Sequence, residues 1–231
     1  MNRTEDTRAF YQLLHELEQR FGGTRTLTDC HGRMPWPSRG VYFFFEPGET
    51  RSRTGHGPRV VRVGTHALMA KSRTSLWNRL NQHRGTLNPL GGNHRGSIFR
   101  LLIGDAMTSA GYVEYTGSWG RGSSAPKAIR ESERPAEVEV SRYIGAMPFL
   151  VVSINDAPGP ESQRGYIERN AIALLSGYSS TAADPPSANW LGFHSSRERV
   201  RRSGLWNNNH VDECYEPAFL GALEKLIHDI G

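Results

Sequence analysis

The stretch GVYFFFEPGETRSRTGHGPRVVRVGTH, residues 40–66, decides how the rest of the sequence is interpreted. It contains two apolar runs, 40–45 and 60–64, on either side of a polar segment rich in arginine and glycine. The runs predict two neighbouring strands of a hairpin. Side chains alternate along a strand, so the first run places Val41, Phe43 and Phe45 on one face, and Tyr42 and Phe44 on the other. The polar loop is longer than the two to five residues that usually close a hairpin.

Apolar periodicity predicts the elements around this hairpin. In chain order they are an amphipathic helix over 5–21, a short helix over 75–83 carrying Arg79 and His83, a third strand in the run PFLVVSI, a helix over 162–176 carrying Glu168, and a last helix over 216–230. Arg79 and His83 lie one helical turn apart, so both face the same side.

The stretch between the short helix and the third strand has a mixed pattern. NPLGGNHRGS is typical of a loop, SIFRLLIG predicts a buried strand, and the segment after it is rich in glycine, serine and charge. We therefore treat 85–145 as a large insertion in a core that spans 37–195. An N-terminal helix and loop over 1–36 and a basic, helical C-terminal segment over 196–231 complete the predicted organisation.

Composition narrows the function classes. Two cysteines, Cys30 and Cys214, far apart in the chain, argue against a zinc site or a disulfide framework. The first twenty residues are acidic where a signal peptide would be basic, and no apolar run approaches the ~20 residues that a membrane span needs. We expect a cytoplasmic protein with no membrane partner.

The charge distribution points to an anionic partner. The formal net charge is +5, and the segment 51–100 contains no aspartate or glutamate. Ten basic residues lie in it: Arg51, Arg53, Arg59, Arg62, Lys71, Arg73, Arg79, Arg84, Arg95 and Arg100. Because a solvated surface normally interleaves both signs of charge, this segment is expected to contact phosphate groups.

Five short motifs, in order, resemble the GIY-YIG nuclease family. They are GVY at 40–42, RVG at 62–64, LWNRLNQHRG with its arginine and histidine, YIERNAIALL with its glutamate, and the Pro-x-x-Asn element of DPPSANW, which ends at Asn189. The resemblance implies an α+β fold with a small, mainly antiparallel sheet of about three core strands, flanked by helices. Two departures stand out: Arg62 replaces the usual second tyrosine, and the motif spacings are longer than usual.

The resemblance also implies a site for phosphodiester hydrolysis. Tyr42 would be the general base, Arg79 the clamp on the phosphate, and Glu168 the ligand of one Mg²⁺ or Mn²⁺, with His83 and Asn189 assisting. One carboxylate suits Mg²⁺, which keeps water in its remaining positions. A free phenol loses its proton only near pH 10, so a tyrosine base needs nearby cations that favour the phenolate, and Arg62, Arg79 and His83 are candidates.

Basic side chains around this site predict contacts with duplex DNA. If Tyr42 and Arg62 flank the scissile phosphate, the long hairpin loop projects from the edge of the site. The predicted DNA-contacting residues are Arg51, Arg53, His56, Arg59, Arg73, Arg84, His94 and Arg95. A homodimer is possible where both strands are cut.

Two other function classes fit the same sequence. Arg62 and the altered spacing are also consistent with a GIY-YIG-like module that binds DNA without cleaving it. A basic globular protein that binds RNA or nucleotides, with an accidental motif match, is the third possibility. Each candidate residue also has a purely structural interpretation: a packed tyrosine ring, a solvated Arg-His helix face, or a surface glutamate.

Overall fold

A computed structural model describes residues 2–229. The helices in this range are α1 (Arg3–Phe21), α2 (Leu76–Arg84), α3 (Ile98–Ser109), α4 (Lys127–Ser132), α5 (Arg134–Gly145), α6 (Gln163–Leu175), α7 (Glu198–Ser203) and α8 (Phe219–His228). The strands are β1 (Arg25–Thr26), β2 (Gly40–Thr50), β3 (Pro58–Gly64), β4 (Thr86–Leu87), β5 (Leu90–Gly91) and β6 (Pro148–Ser153). Ile230, placed in the last helix by the sequence pattern, lies outside the described residues.

The main sheet of residues 2–229 is antiparallel, with strand order β1-β6-β2-β3. Its centre is the hairpin of β2 and β3, in which Tyr42 pairs with Gly64 and Phe44 pairs with Arg62. On the other side of β2, Tyr42 pairs with Val151 of β6. The predicted α+β fold is confirmed, and the two-residue β1 adds a fourth strand to the three expected.

Side chains alternate between the two faces of β2, and each face packs into a separate hydrophobic core. Val41, Phe43 and Phe45 pack with apolar residues of α1, α6 and α8 on one face. Tyr42 and Phe44 pack with residues of α2, α3 and α5 on the other. The predicted division of the strand into two faces is confirmed, and Tyr42 enters a core that includes two helices from the stretch 85–145.

That stretch is mainly helical. Residues 98–109 form α3, so the prediction of a strand at SIFRLLIG is wrong. Ser97 begins this helix because its side chain accepts a hydrogen bond from the backbone N–H of Arg100. An apolar run of this length fits a buried helix as well as a buried strand. Phe99, Leu102 and Ile103 of α3 are fully buried, so this segment takes part in the core.

The C-terminal segment covers the free edge of β3. The backbone N–H of Trp206 donates to the carbonyl of Val61 at 2.7 Å. The side-chain amide of Asn207 then bonds both backbone groups of Val63, accepting from its N–H at 3.2 Å and donating to its carbonyl at 2.8 Å. Edge backbone groups are thereby satisfied without a further strand. From residue 2 to residue 229, no helix has both the length and the apolar character needed to cross a membrane.

Candidate active site

A buried hydrogen-bonded chain connects β2 to the start of α3. The Tyr42 hydroxyl lies 2.8 Å from Nε2 of His83, and Nδ1 of His83 lies 2.7 Å from Oγ of Ser97. All three side chains are buried. Burial, reinforced by the positive charges of Arg79, Arg62 and Arg100, holds the pKa of His83 well below its usual range. His83 is therefore neutral, with one ring nitrogen able to donate and the other able to accept.

Gly64 makes room for the Tyr42 ring. The two residues are paired across β2 and β3, and a Cβ at position 64 would collide with the tyrosine hydroxyl and ring. The glycine that ends the RVG motif is thus needed for space, because any larger side chain would push Tyr42 out of its position beside His83.

Arg62 lies on the same face of the sheet as Tyr42. Its side chain is buried, its guanidinium carbon lies 4.9 Å from the centroid of the Phe99 ring, and it donates a hydrogen bond to the backbone carbonyl of Trp206. Burial lowers the pKa of Arg62, and the Tyr42 phenol and the Glu168 carboxyl act in the opposite direction. A cation therefore occupies the place where the family pattern has its second tyrosine.

Glu168 of α6 contacts the end of β3. Its Oε1 accepts a hydrogen bond from the backbone N–H of Thr65 at 3.0 Å, one residue after Gly64. Burial raises the pKa of Glu168, and Arg62, His210 and Arg79 partly offset that effect. Glu168 and Tyr42 thus contact two successive residues, Thr65 and Gly64, at the end of β3.

An open cavity of about 390 Å³ borders Glu168 and Arg62, whereas the buried Tyr42 and His83 do not line it. Its lining includes Arg62, Thr65, Arg79, Glu168, Asn207 and His210. Arg79 is half-buried and donates to Oε1 of Gln82 at 3.1 Å and to the carbonyl of Gly96 at 3.3 Å, both neutral acceptors. Its full positive charge is therefore directed towards a space that also contains the carboxylate of Glu168.

Asn189 lies elsewhere. It is exposed and borders a separate cavity beside Trp190 and Glu46. The asparagines at the candidate site are Asn207, Asn208 and Asn209, from the run NNNH at 207–210, which the sequence analysis did not single out. The amide of Asn207 bonds both backbone groups of Val63, so its position depends on edge pairing that no sequence pattern reveals.

Three of the side chains predicted to contact DNA instead pair with acidic side chains of the protein. Arg59 is buried and pairs with Glu49 at 2.6 Å. His94 is buried, lies 2.9 Å from a carboxylate oxygen of Glu137 and stacks on Trp119. Arg95 makes a two-pronged pair with Glu133 at 2.6 and 2.8 Å. The acids absent from 51–100 therefore come from elsewhere in the chain and neutralise part of its charge.

The other predicted contacts fall into two groups. The guanidinium of Arg51 lies 4.5 Å from the centroid of the Tyr11 ring, and that of Arg84 lies 4.9 Å from the Trp77 ring. Arg53, His56 and Arg73 are exposed. These last three side chains are the ones most accessible to a nucleic acid backbone.

The long hairpin loop does not border the site, and that expectation is wrong. Thr50 pairs with Pro58 at the far end of the hairpin from Tyr42 and Gly64, which is roughly 25 Å along the strand. Asp184 holds the loop, since its carboxylate accepts from the backbone N–H groups of residues 52, 53 and 54 at 2.9, 2.8 and 3.1 Å. The loop is long because it folds around this carboxylate.

A family model described as a GIY-YIG domain matches residues 1–231, the full chain. The chain belongs to the GIY-YIG family. Neither the curated proteins nor the solved structures contain a match to it. GIY-YIG proteins are generally nucleases that act on DNA and typically use divalent metals, and membership supports a nuclease-type function for this chain.

The residues of this GIY-YIG site fit one hard divalent cation. Glu168 uses Oε1 to accept from Thr65, and a carboxylate has further lone pairs for a metal. Within residues 2–229, no group of three or more histidine, cysteine, aspartate or glutamate side chains has the arrangement of a closed metal centre. A single carboxylate with water in the remaining positions is a donor set that suits Mg²⁺ and does not suit a structural zinc ion.

Proposed function

We propose that this GIY-YIG protein is a divalent-metal-dependent DNA endonuclease that hydrolyses phosphodiester bonds. The observation that supports the proposal best is that Tyr42 and Glu168 contact two successive residues, Gly64 and Thr65, and that Glu168 shares a cavity with Arg79. A base, a metal ligand and a permanent cation are the three groups that phosphodiester hydrolysis needs in one place.

In this proposal Tyr42 is the general base that activates the attacking water. Nε2 of His83 accepts a hydrogen bond from the Tyr42 hydroxyl while its Nδ1–H donates to Ser97, a tautomer compatible with both distances. The lowered pKa of His83 keeps the ring neutral, so that its unprotonated nitrogen can hold the phenol in place. Arg62, buried on the same face of the sheet, puts a positive charge beside Tyr42 where the family has a second tyrosine.

Arg79 and Glu168 act on the phosphate and the leaving group. Arg79 presents a planar, permanently charged fork to the non-bridging phosphate oxygens. Glu168 would hold Mg²⁺ or Mn²⁺, which when bound supplies positive charge to the phosphoryl oxygens and to the departing 3′ oxygen. Asn207 fixes the edge of β3, so that Thr65 stays in position to orient Glu168.

Duplex DNA is the proposed substrate. Arg73 lies in the segment between β3 and α2, while Arg53 and His56 lie at the far end of the hairpin. The roughly 25 Å between the two ends of the hairpin corresponds to about seven base pairs of duplex. Because each copy contributes one such site within its described residues, a homodimer would supply the two sites for cutting both strands in one binding event.

Cleavage of supercoiled plasmid with Mg²⁺, with Mn²⁺ and with chelator tests the proposed nuclease. We expect metal-dependent nicking or linearisation that is lost in Glu168→Ala and Tyr42→Phe and retained in Glu161→Ala, a matched change of an exposed glutamate outside the site. Cleavage that persists in chelator, or in both site variants, would contradict the proposal.

The complete burial of Tyr42 favours a second candidate. A phenol that solvent does not reach is consistent with a GIY-YIG module that binds DNA without cleaving it. Salt-sensitive binding to a panel of duplexes, with no cleavage of any of them in either metal, is the result that this candidate predicts.

A further inference from the structure

A second cavity, larger than the candidate active site, lies between β2, α3, α5 and the segment before residue 191. Its volume is about 700 Å³. Aromatic rings from Tyr112, Tyr143 and Trp190 line it, and Tyr112 is 73% exposed at its opening. Its lining residues and those of the candidate active site do not overlap. A cavity of this size accommodates a small organic ligand.

The carboxylate of Glu46 forms the polar end of this cavity. Its side chain is 8% exposed. One oxygen accepts from the Tyr143 hydroxyl, and the other accepts from the indole N–H groups of Trp190 at 3.2 Å and Trp206 at 2.8 Å. Burial raises the pKa of Glu46, and these three hydrogen bonds partly offset the shift. All three donors are neutral, so the contacts described leave the charge of the carboxylate uncompensated.

The other two carboxylates at this cavity have cationic partners of their own. Glu49 pairs with the buried guanidinium of Arg59 at 2.6 Å. Glu139 pairs with Arg142 at the surface. Glu46 therefore differs from both, because a buried carboxylate held by neutral donors is stabilised further by any cation that reaches it.

We propose that this cavity binds an organic cation, an ammonium or guanidinium group on an apolar stem. The cationic end lies at Glu46, and the stem packs on Met107 and Leu191. The ring faces of Tyr112 and Tyr143 attract a cation through their quadrupoles. Trp190 shows the same preference, since the Arg59 guanidinium lies 5.6 Å from the centroid of its ring. The proposal concerns a site separate from the nuclease groups and does not depend on cleavage.

Titration calorimetry with four probes on the 231-residue chain tests this cavity. Arginine amide represents a peptide side chain, spermidine represents a free polyamine, lysine amide tests ammonium against guanidinium, and citrulline amide is the counterpart of arginine amide with an uncharged side chain. The α-amines of the three amino-acid amides are acetylated, so that only their side chains can carry charge. We expect saturable binding of at least one cation, more than about tenfold tighter than that of citrulline amide. Binding of arginine or lysine amide alone would identify a peptide side chain as the ligand, and binding of spermidine alone would identify a polyamine.

Two matched variants locate the binding in the cavity. Glu46→Gln removes the charge and keeps the shape, and it should abolish the preference for the cation over citrulline amide. Glu161→Gln removes an exposed carboxylate outside the cavity and should change nothing. Equal binding of arginine amide and citrulline amide by the wild type, or no saturable binding of any cation, would overturn the proposal, and both results are independent of how Glu46→Gln folds.

Discussion

Gly64 and Tyr42 face each other across β2 and β3 so closely that a Cβ on residue 64 would occupy the space of the tyrosine hydroxyl. Gly64→Ala is therefore expected to displace the phenol from His83 and to lower the cleavage rate more than DNA affinity. Overpacking of this kind costs about 1–3 kcal/mol of stability. Single-turnover cleavage, together with DNA binding measured in chelator, separates the two effects.

Gly221→Ala is the control for that change. Residue 221 lies in α8, and no atom lies within 4 Å of the position that its Cβ would take. Alanine there should leave cleavage unchanged and stabilise the helix by about 0.5–1 kcal/mol. Full activity in Gly64→Ala would show that the position of the Tyr42 ring does not matter for catalysis.

Ser97→Ala tests whether the hydrogen bond to His83 positions the imidazole. Ser97 both begins α3 and lies 2.7 Å from Nδ1 of His83. Ser75→Ala removes the corresponding cap of α2, where Ser75 accepts from the N–H of Asn78. Each loss should cost about 1 kcal/mol of stability. Only Ser97→Ala should slow cleavage, by up to about 100-fold. Equal cleavage rates in the two variants would show that Ser97 caps the helix and does not position His83 for catalysis.

Glu168→Gln should stabilise the protein at neutral pH when no metal is present. Burial raises the pKa of Glu168, so the folded protein binds this proton more tightly than the unfolded chain does. Stability from the proton is present below the ordinary glutamate pKa of about 4.3 and is lost as the pH rises through the raised value. Melting curves should show a higher Tm for Glu168→Gln at pH 7, with the difference closing below about pH 4.

Added Mg²⁺ provides the complementary measurement. A metal that binds the folded state raises Tm, and the rise grows with the logarithm of the metal concentration above its Kd. Mg²⁺ should therefore raise the Tm of the wild type and leave that of Glu168→Gln unchanged. An equal rise in both proteins would place the metal at another position.

Alanine substitutions of exposed and buried arginines should affect different properties, DNA binding for Arg53 and Arg73 and protein stability for Arg59. Arg53 and Arg73 are exposed, so their loss should leave stability unchanged and reduce the log-log salt slope of DNA binding by about 0.9 for each phosphate contact. Arg59→Ala leaves the buried carboxylate of Glu49 without its cation and should cost about 3–5 kcal/mol. Chemical denaturation and binding at several salt concentrations measure both quantities. Unchanged salt slopes for Arg53→Ala and Arg73→Ala would show that these side chains do not contact DNA phosphates.

The sequence was sufficient to predict the central hairpin and several of the helices that pack on it. The alternation of Val41, Tyr42 and Phe43 predicted which side chains share a face, and helical spacing predicted α1, α2 and α6. These patterns depend on neighbours in the chain, which is why they can be read without a structure. The segment at Ile98–Ser109 was mistaken for a strand because its apolar run shows no period that distinguishes a buried helix from a buried strand.

Pairing between side chains that lie apart in the sequence determines which candidate residues remain free, and sequence patterns do not reveal it. The segment 51–100 contains no acids, yet Arg59, Arg95 and Arg100 pair with Glu49, Glu133 and Glu137 from other parts of the chain. Asn207 reaches β3 from more than a hundred residues away, whereas the more recognisable Asn189 lies at another cavity. Local patterns identify residue types suited to a function, but tertiary contacts determine which of them remain free to act.

Single-turnover nicking of supercoiled plasmid by wild type, Tyr42→Phe, Glu168→Gln and the double variant tests most directly whether Tyr42 and Glu168 form one active site. Groups that act as a unit give strongly non-additive losses. We predict that each single change removes nearly all Mg²⁺-dependent cleavage and that the double variant is no slower than the slower single variant. Wild-type rates in either single variant, or losses that multiply in the double variant, would contradict a shared site.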